Sequence, residues 1–218
     1  MVVYTTAGGK YFPVAKSFSE DSSTLRGVYI NLTNQCNNDC VFCLREKKVL
    51  TDENNLWLER EPSVDEVKSE LDKLNWDLVS EIVFCGFGEP TMRLAELIEL
   101  LRYVKATHPK ISTRLNTNGL GSLEHGRDIA PEFEKILDVA SISLNSATAE
   151  RYLKITRSKF GLQAYSAMFD FAERMKNFVP QVVMTIVDKV TPPDEIAACQ
   201  KICDEHGLKL RIRPYEDS

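Results

Sequence analysis

Apolar, β-branched stretches recur along the chain and alternate with segments whose apolar residues have helical spacing. The strand-like stretches lie at about 27–33, 81–85, 110–116, 139–145, 181–188 and 208–213. Most are almost continuously apolar, which is typical of parallel strands buried on both faces. Strands and helices that alternate in this way predict right-handed βαβ units and a parallel sheet.

Helical segments are predicted between these strands. The first begins at a capping box, in which the side chains of Ser63 and Glu66 satisfy backbone N–H groups at the start of the helix. The others follow from apolar stripes at helical spacing and from end signals. They are a stripe from Leu94 to Val104, a short segment at Pro131–Leu137, a stripe from Leu162 to Met175, and a helix with Thr191 as N-cap that closes at His206-Gly207.

Six strand–helix units predict an α/β fold, and we expect a partial (β/α)6 TIM-like barrel with parallel strands. A doubly wound sheet is the alternative, and in both architectures ligands bind at the carboxyl ends of the strands. Two β-prone stretches, Val2–Thr5 and Tyr11–Val14, flank Gly8-Gly9 and predict a short N-terminal β-hairpin. We expect one domain over residues 1–218, with 1–25 as the hairpin extension and 26–214 as the barrel core.

Composition narrows the class of protein. The chain has 218 residues, a net charge of −5 and 43% hydrophobic residues, as expected for a globular protein and not for a general nucleic-acid binder. No apolar run is long enough to span a membrane, and the N-terminus lacks the layout of a signal peptide. Six cysteines in such a chain indicate metal or redox chemistry in a reducing compartment, so we expect a cytoplasmic protein without membrane contact.

Three of these cysteines follow the first core strand closely. Cys36, Cys40 and Cys43 are four and three positions apart, so their thiols can meet at one point. Thiolates select zinc, copper(I) or iron–sulfur clusters. Zinc would need a fourth ligand, and the nearest downstream candidates, Cys85 and His108, are distant in sequence. Three cysteines suit three irons of a [4Fe–4S] cluster, which we favour over zinc or structural thiols.

Polar residues follow the later strands. Each group has a plainer explanation as a turn or a solvated side chain. The glycines of the second group would let a backbone approach a ligand closely, and the amides and hydroxyls could bind a carboxylate or sugar. The groups are Gly86, Gly88 and Glu89 after the second strand, Asn116 and Asn118 after the third, and Ser143, Asn145 and then Arg157 after the fourth.

Together these motifs resemble the radical S-adenosylmethionine (SAM) superfamily. The resemblance rests on Cys-x3-Cys-x2-Cys with Phe42 before the last cysteine, and on Gly86-Phe87-Gly88-Glu89-Pro90, where Phe87 interrupts the more common glycine pair. It extends from about Arg26 to Pro214. Within the superfamily the chain is most similar to the TatD-family-associated radical SAM proteins, through Asn31-Leu32-Thr33-Asn34, Phe84–Pro90 and Arg211–Tyr215.

The resemblance implies an enzyme that reductively cleaves SAM at a [4Fe–4S] cluster and abstracts hydrogen from an unidentified substrate with a 5′-deoxyadenosyl radical. It also implies an electron donor such as flavodoxin or ferredoxin, and a functional link to a TatD-type hydrolase. The alternative is a zinc-binding or iron–sulfur regulatory, SAM-sensing module without turnover. The implied contacts are Cys36, Cys40 and Cys43 to the cluster, Gly88 and Glu89 to the SAM amino group, Phe42 and Val187 to the adenine, Ser143 and Asn145 to the ribose, and Arg157 to the carboxylate.

The remaining candidates have weaker sequence signals. Cys85 and His125 are the candidates for substrate contact, although a core position for Cys85 and a surface loop for His125 are the plainer interpretations. Cys199 and Cys203 share an apolar helical stripe, so we expect them in the core. Arg211 and Arg213 alternate along the last strand, and would attract an anionic substrate if they point into the barrel. The mouth of the barrel is expected to be open, which suits a large substrate, and residues 47–61 form either a surface loop or a lid.

Overall fold

One eight-stranded sheet organises the computed structural model, which describes residues 1–7, 10–14, 25–47, 51 and 55–214, without the side chains of residues 46 and 47. The strand order is β2-β1-β3-β4-β5-β6-β7-β8, and β3 to β8 are all parallel. The strands are β1 Val3–Ala7, β2 Lys10–Pro13, β3 Arg26–Ile30, β4 Val79–Phe84, β5 Ser112–Thr117, β6 Val139–Ser143, β7 Gln181–Val187 and β8 Lys209–Arg213.

The spatial order of the six parallel strands follows their order in the chain. A doubly wound sheet reverses its order at a switch point, and this sheet does not. Residues of β3 and β8, the two outermost parallel strands, line the same cavity, so the sheet curls around it. No pairing closes β8 onto the hairpin among the described strands. The predicted partial (β/α)6 barrel is confirmed.

Helices connect the parallel strands. The main ones bury apolar stripes in the core, including Leu97, Leu101 and Val104 of α3 and Met168 and Met175 of α6. The helices are α1 Leu44–Lys47, α2 Val64–Leu71, α3 Leu94–Thr107, α4 Gly121–His125, α5 Ala149–Thr156, α6 Gln163–Met175 and α7 Pro193–Glu205. In the described ranges, no helix has the length and apolar character needed to cross a membrane.

The structure confirms one local prediction and contradicts others. The capping box at Ser63 is present, with both reciprocal hydrogen bonds. Thr191 is not the N-cap of α7, because the helix starts at Pro193 and Pro192 occupies the cap position. Pro131–Leu137 is not a helix, because only a 3-10 turn, Ala130–Phe133, forms there. The short helices α4 and α5 were not predicted.

The N-terminal hairpin has a role in shaping the cavity. Its β1 pairs antiparallel with β3, so the hairpin extends the sheet on the side opposite β4. Tyr4 and Tyr11 of the hairpin line the cavity together with residues of β8. Gly8 and Gly9, part of the 47–61 insertion, and Tyr215 lie outside the described residues. The division into an extension and a core stays a prediction.

Candidate active site

A cavity of about 390 Å³ opens at the carboxyl ends of the parallel strands. One wall is aromatic and is formed by Tyr4, Tyr11 and Tyr29, whose rings lie 5.4 Å apart in successive pairs. Ligands of parallel α/β folds bind at this edge of the sheet. Of the residues singled out in the sequence, the cavity is lined by Phe42, Cys43, Cys85, Gly86, Asn116, Ser143, Asn145, Val187, Arg211 and Arg213.

The loop that carries the three cysteines is fixed by backbone hydrogen bonds to several parts of the fold. Asp39 N–H donates to Thr156 O and Val41 N–H to Ile155 O, both at 2.9 Å. Glu89 N–H donates to the carbonyl of Gln35 at 2.8 Å. Because the loop is bonded at points on both sides of Cys36, its geometry is set by the folded protein before any ligand binds.

The three thiols share one electrostatic environment. Burial raises the pKa of Cys36 to about 11, and the negative charge of Glu89 adds to this effect. The pKa of Cys40 is also raised, first by burial and then by the neighbouring Cys36 and Cys43 sulfurs, so the three groups lie close together. Arg45 opposes both shifts and stabilises the thiolate forms. Since thiolates are the metal-binding form, binding of a metal centre by this loop would release protons.

The donor set fits an iron–sulfur cluster better than a single zinc ion. In the part of the chain that the structure describes, no three His, Cys, Asp or Glu side chains are arranged around one common ion position. A structural zinc ion requires four ligands at about 2.0–2.3 Å from one point. In a cluster each cysteine binds a separate iron, so the sulfurs stand further apart. His108, one remote zinc candidate, instead stacks on Trp76 with ring centroids 3.7 Å apart.

The glycines of the second motif allow two segments to approach closely. A Cβ atom on Gly88 would lie 2.3 Å from the Thr33 carbonyl oxygen and 2.6 Å from that of Gln35. A Cβ atom on Gly86 would lie 2.0 Å from Oδ1 of Asn31. Gly86 also lines the cavity, whereas Gly88 does not. The motif therefore seats the strand end of β4 against the segment that leads into the cysteine loop.

Glu89 occupies a buried position behind the cavity. Its carboxylate accepts hydrogen bonds from the Thr91 N–H at 3.1 Å and hydroxyl at 2.8 Å, and from the Thr117 hydroxyl and Asn118 N–H, both at 2.7 Å. Burial nevertheless raises the pKa of this carboxyl group. The side chain is 4% exposed and does not line the cavity, so its hydrogen bonds tie the ends of β4 and β5 together.

Polar groups at the ends of β5, β6 and β7 face the cavity. Asn116 Oδ1 is buried and has no hydrogen-bond partner within the described residues. Asn145 has a φ of 60°, a left-handed conformation that asparagine tolerates well. Ser143 and the hydroxyl-bearing Thr185 line the same wall. A buried acceptor without a partner is costly, so Asn116 marks a place where a bound molecule would donate a hydrogen bond.

Three residues singled out in the sequence lie elsewhere. Arg157 ends α5 and its Nη1 lies 3.3 Å from Oδ2 of Asp39, on the outside of the cysteine loop. His125 lies in α4, not in a loop, and its Nε2 is 2.8 Å from the Thr91 carbonyl oxygen. Asn118 donates from Nδ2 to Oδ1 of Asn37 at 2.5 Å, next to Cys36. None of the three lines the cavity.

The remaining cysteines separate into two environments. Cys85 is half-buried and lines the cavity, where its carbonyl accepts a hydrogen bond from the Tyr4 hydroxyl at 3.0 Å. The preferred prediction for Cys85, a position in the core, is therefore wrong. Cys199 and Cys203 are fully buried in the apolar core, as predicted. The six cysteines, all within the described ranges, form no disulfide.

Part of the cavity lining was not predicted from the sequence. Arg114 and Thr185 lie on the inner face, and the tyrosines come from the hairpin and β3. A signal for Arg114 was present, because Arg114 and Asn116 alternate with the buried residues Thr113 and Leu115 along β5. No local pattern places the hairpin tyrosines at the cavity, since their position depends on how β1 pairs with β3.

Several solved structures share this fold. SuiB of Streptococcus suis, bound to its precursor peptide SuiA, matches with a TM-score of 0.65 and 17% identity over 88% of this chain and 40% of SuiB. SuiB bound to S-adenosylmethionine matches with a TM-score of 0.63. Methylornithine synthase (PylB) matches with a TM-score of 0.60 and 14% identity over 87% of this chain and 53% of that chain. These similarities show a shared fold.

The relatives that match by sequence are named GTP 3′,8-cyclase or probable GTP 3′,8-cyclase. The GTP 3′,8-cyclase of Corynebacterium glutamicum strain R is 32% identical over 194 residues, which cover 86% of this chain and 48% of the relative. The probable GTP 3′,8-cyclase of Methanopyrus kandleri is 26% identical over 86% of this chain and 56% of its own length. The chain thus spans about half the length of these relatives. The sequence model of the Radical SAM superfamily matches residues 30–198, and the chain belongs to that superfamily.

Proposed function

We propose that Cys36, Cys40 and Cys43 hold the [4Fe–4S] cluster of this radical SAM enzyme and that SAM binds in the adjoining cavity. The observation that carries the proposal is the shared cavity: Cys43, the last cysteine of the triad, and the unpartnered acceptor of Asn116 both line it. When bound, the cluster and SAM supply reductive cleavage of SAM and hydrogen-atom abstraction from the substrate. The protein supplies binding, orientation and exclusion of water.

The binding role falls to side chains on both sides of the cavity. Arg45 lies near the thiols and counteracts the negative charge of the thiolates. Gly86 brings backbone to the cavity wall, and its missing side chain leaves room for Asn31. Asn116 offers an acceptor, and Ser143 and Asn145 offer polar groups at the next strand end. This arrangement suits the amino and ribose groups of SAM, with Phe42 and Val187 beside the adenine.

An apolar cluster next to the thiols excludes water. Leu56 and Phe87 are buried with Tyr4 and Tyr11, and Trp57 packs on Phe87 with ring centroids 5.7 Å apart. Asn34 fixes this segment by exchanging two hydrogen bonds with the backbone of residue 58, at 2.8 and 3.1 Å. Residues 55–58 thus act as a packed cover beside the cysteine loop. A dry site protects a reactive radical from side reactions.

Several finer assignments belong to this proposal. The relatives are named for a reaction of GTP, so GTP is the first substrate to test, although the chain spans about half of those proteins. Membership of the TatD-associated subgroup is supported by the motifs quoted above, and with it the link to a TatD-type hydrolase. We expect a flavodoxin or ferredoxin as electron donor. The six cysteines without disulfides support a reducing, cytoplasmic location.

The test is anaerobic reconstitution with iron and sulfide, followed by reduction and measurement of 5′-deoxyadenosine formed from SAM. Wild type is expected to hold close to four irons and four sulfides per chain. Cys36→Ala, Cys40→Ala and Cys43→Ala are each expected to lose the cluster absorbance and all SAM cleavage. Cys199→Ala is the matched control, because Cys199 is buried in the core away from the cavity. A colourless, zinc-loaded wild type that leaves SAM intact would refute the proposal.

A further inference from the structure

Three arginines stand out in a cavity of an otherwise acidic protein. The chain has a net charge of −5, yet its cavity is lined by Arg114, Arg211 and Arg213 and, in the described ranges, by no aspartate or glutamate. We call these three residues the arginine wall. They come from β5 and β8, and they line the same cavity as the hairpin tyrosines. Because a low-dielectric cleft concentrates electrostatic potential, this wall attracts anions.

The hydrogen-bond capacity of the arginine wall is only partly used. Arg114 Nη2 lies 2.8 Å from Glu81 Oε1, and Arg211 Nη2 donates to the Ser141 hydroxyl at 2.7 Å. The Nε–H groups of Arg114 and Arg211 are buried without a partner in the part of the chain that is described. Glu81 forms an ion pair with Arg114, and its negative charge also acts on Arg211, where it raises the pKa. Two buried, unpartnered donors beside an open cavity indicate a missing acceptor.

Electrostatics within the wall agree with this geometry. The pKa of Arg211 is lowered, first by burial and then by the positive charges of Arg114 and Arg213. The three guanidinium groups therefore lie close enough to repel one another. Clustering like charges in a half-buried place is unfavourable in the empty protein. An anion bound between them would relieve this repulsion and accept hydrogen bonds from the unused N–H donors.

Arg114 and Arg211 lie before the carboxyl ends of their strands, whereas Arg213 is the last residue of β8. Arg114 precedes the last residue of β5 by three positions, which is about 10 Å along a strand. The cysteines, by contrast, lie on the loop beyond the end of β3. SAM carries a sulfonium and an ammonium group beside one carboxylate, so three guanidinium groups suit it poorly. Guanidinium forks match phosphate and carboxylate groups in bidentate geometry.

From this arrangement we propose that the arginine wall binds an anionic group of the substrate, a phosphate or a carboxylate, and that Arg211 and Arg213 are its main ligands. The proposal rests on the proposed function, because it names the substrate class of the same cavity. Arg114, paired with Glu81, forms the floor of this subsite. The aromatic wall of Tyr4, Tyr11 and Tyr29 faces the rest of the substrate and suits a planar or apolar part.

The experiment measures binding to the reconstituted protein by anaerobic calorimetry, with pyrophosphate and succinate as separate probes. Arg211→Gln and Arg213→Gln are each expected to weaken the better of the two probes at least tenfold. Arg102→Gln is the matched control, since Arg102 is an exposed residue of α3 and the variant has the same charge change. Arg211→Lys keeps the charge but loses the fork, and is expected to recover only part of the affinity.

SAM affinity and the thermal unfolding midpoint are measured for every variant. The proposal predicts SAM affinity within about threefold of wild type. Loss of SAM affinity with unchanged probe binding would assign the wall to SAM and overturn the proposal, while the proposed function would stand. A wild type that binds neither probe would also overturn it. Conversely, failure of wild type to cleave SAM, with probe binding that depends on Arg211, would count against the proposed function alone.

Discussion

Replacement of Gly88 by alanine tests whether close packing of two backbone segments holds the cysteine loop in place. The new Cβ atom would lie 2.3 Å from Thr33 O and 2.6 Å from Gln35 O. Both distances are about 1 Å short of ordinary contact. Each clash involves backbone and not a flexible side chain, so relief requires a shift of the 33–35 segment. That shift would also strain the 2.8 Å hydrogen bond from Glu89 N–H to Gln35 O.

Overpacking of this kind costs about 1–3 kcal/mol, and one lost buried hydrogen bond adds about 1 kcal/mol. We therefore expect Gly88→Ala to lower the free energy of unfolding by about 2–4 kcal/mol, or the midpoint by roughly 5–15 °C. Thermal unfolding followed by circular dichroism under anaerobic conditions measures this, with iron content as a second readout. Gly27→Ala is the control, because its Cβ atom meets neighbours only at 3.5 Å. A midpoint within 2 °C of wild type for Gly88→Ala, with full iron content, would refute the reasoning.

Three further predictions follow from single contacts. Asn116→Ala should weaken SAM binding about tenfold, because it removes one hydrogen-bond acceptor. The control Asn177→Ala, at an exposed position, should leave SAM binding unchanged. Equal SAM affinities of the two variants in calorimetry would contradict this. Burial raises the pKa of Glu89, so the folded protein binds that proton more tightly and wild type loses stability as pH rises above about 4.5. Denaturant titrations measure the free energy of unfolding of Glu89→Gln and of wild type at several pH values. The value for Glu89→Gln minus the value for wild type should increase with pH. A difference that does not change with pH would exclude a raised pKa. Arg157→Gln removes a half-exposed pair with Asp39 and should cost at most about 1 kcal/mol; a large loss of SAM affinity would instead place Arg157 on the ligand.

The parts of the fold that follow from local pattern were predictable. Nearly continuous apolar strands such as Gln181–Val187 and stripes such as that of α3 predicted the elements and much of the core. The order of the parallel strands did not follow from pattern alone, because partial barrels and doubly wound sheets share the same alternation. The helices α4 and α5 were missed, since five to eight residues give too little periodicity to recognise.

The site residues also differ in how far a local sequence pattern predicts them. Cys36, Cys40 and Cys43 lie within one loop, so their proximity was visible in the spacing. The hairpin tyrosines reach the cavity only through strand pairing and sheet curvature, which no local window contains. Glu89 illustrates the opposite case: its motif was recognisable, yet its carboxylate accepts hydrogen bonds from four protein groups on Thr91, Thr117 and Asn118.

The strand order has a consequence for the way the molecule is assembled. Each parallel strand from β4 to β8 pairs with the strand made just before it, so the sheet can grow at one edge as the chain emerges from the ribosome. The cysteine loop finds its anchors at Glu89, Ile155, Thr156 and Lys159, all of which precede β7 and β8 in the chain. The arginine wall is completed only by β8, the last strand. During synthesis, therefore, the segments that anchor the cysteine loop are all made before the strand that completes the arginine wall.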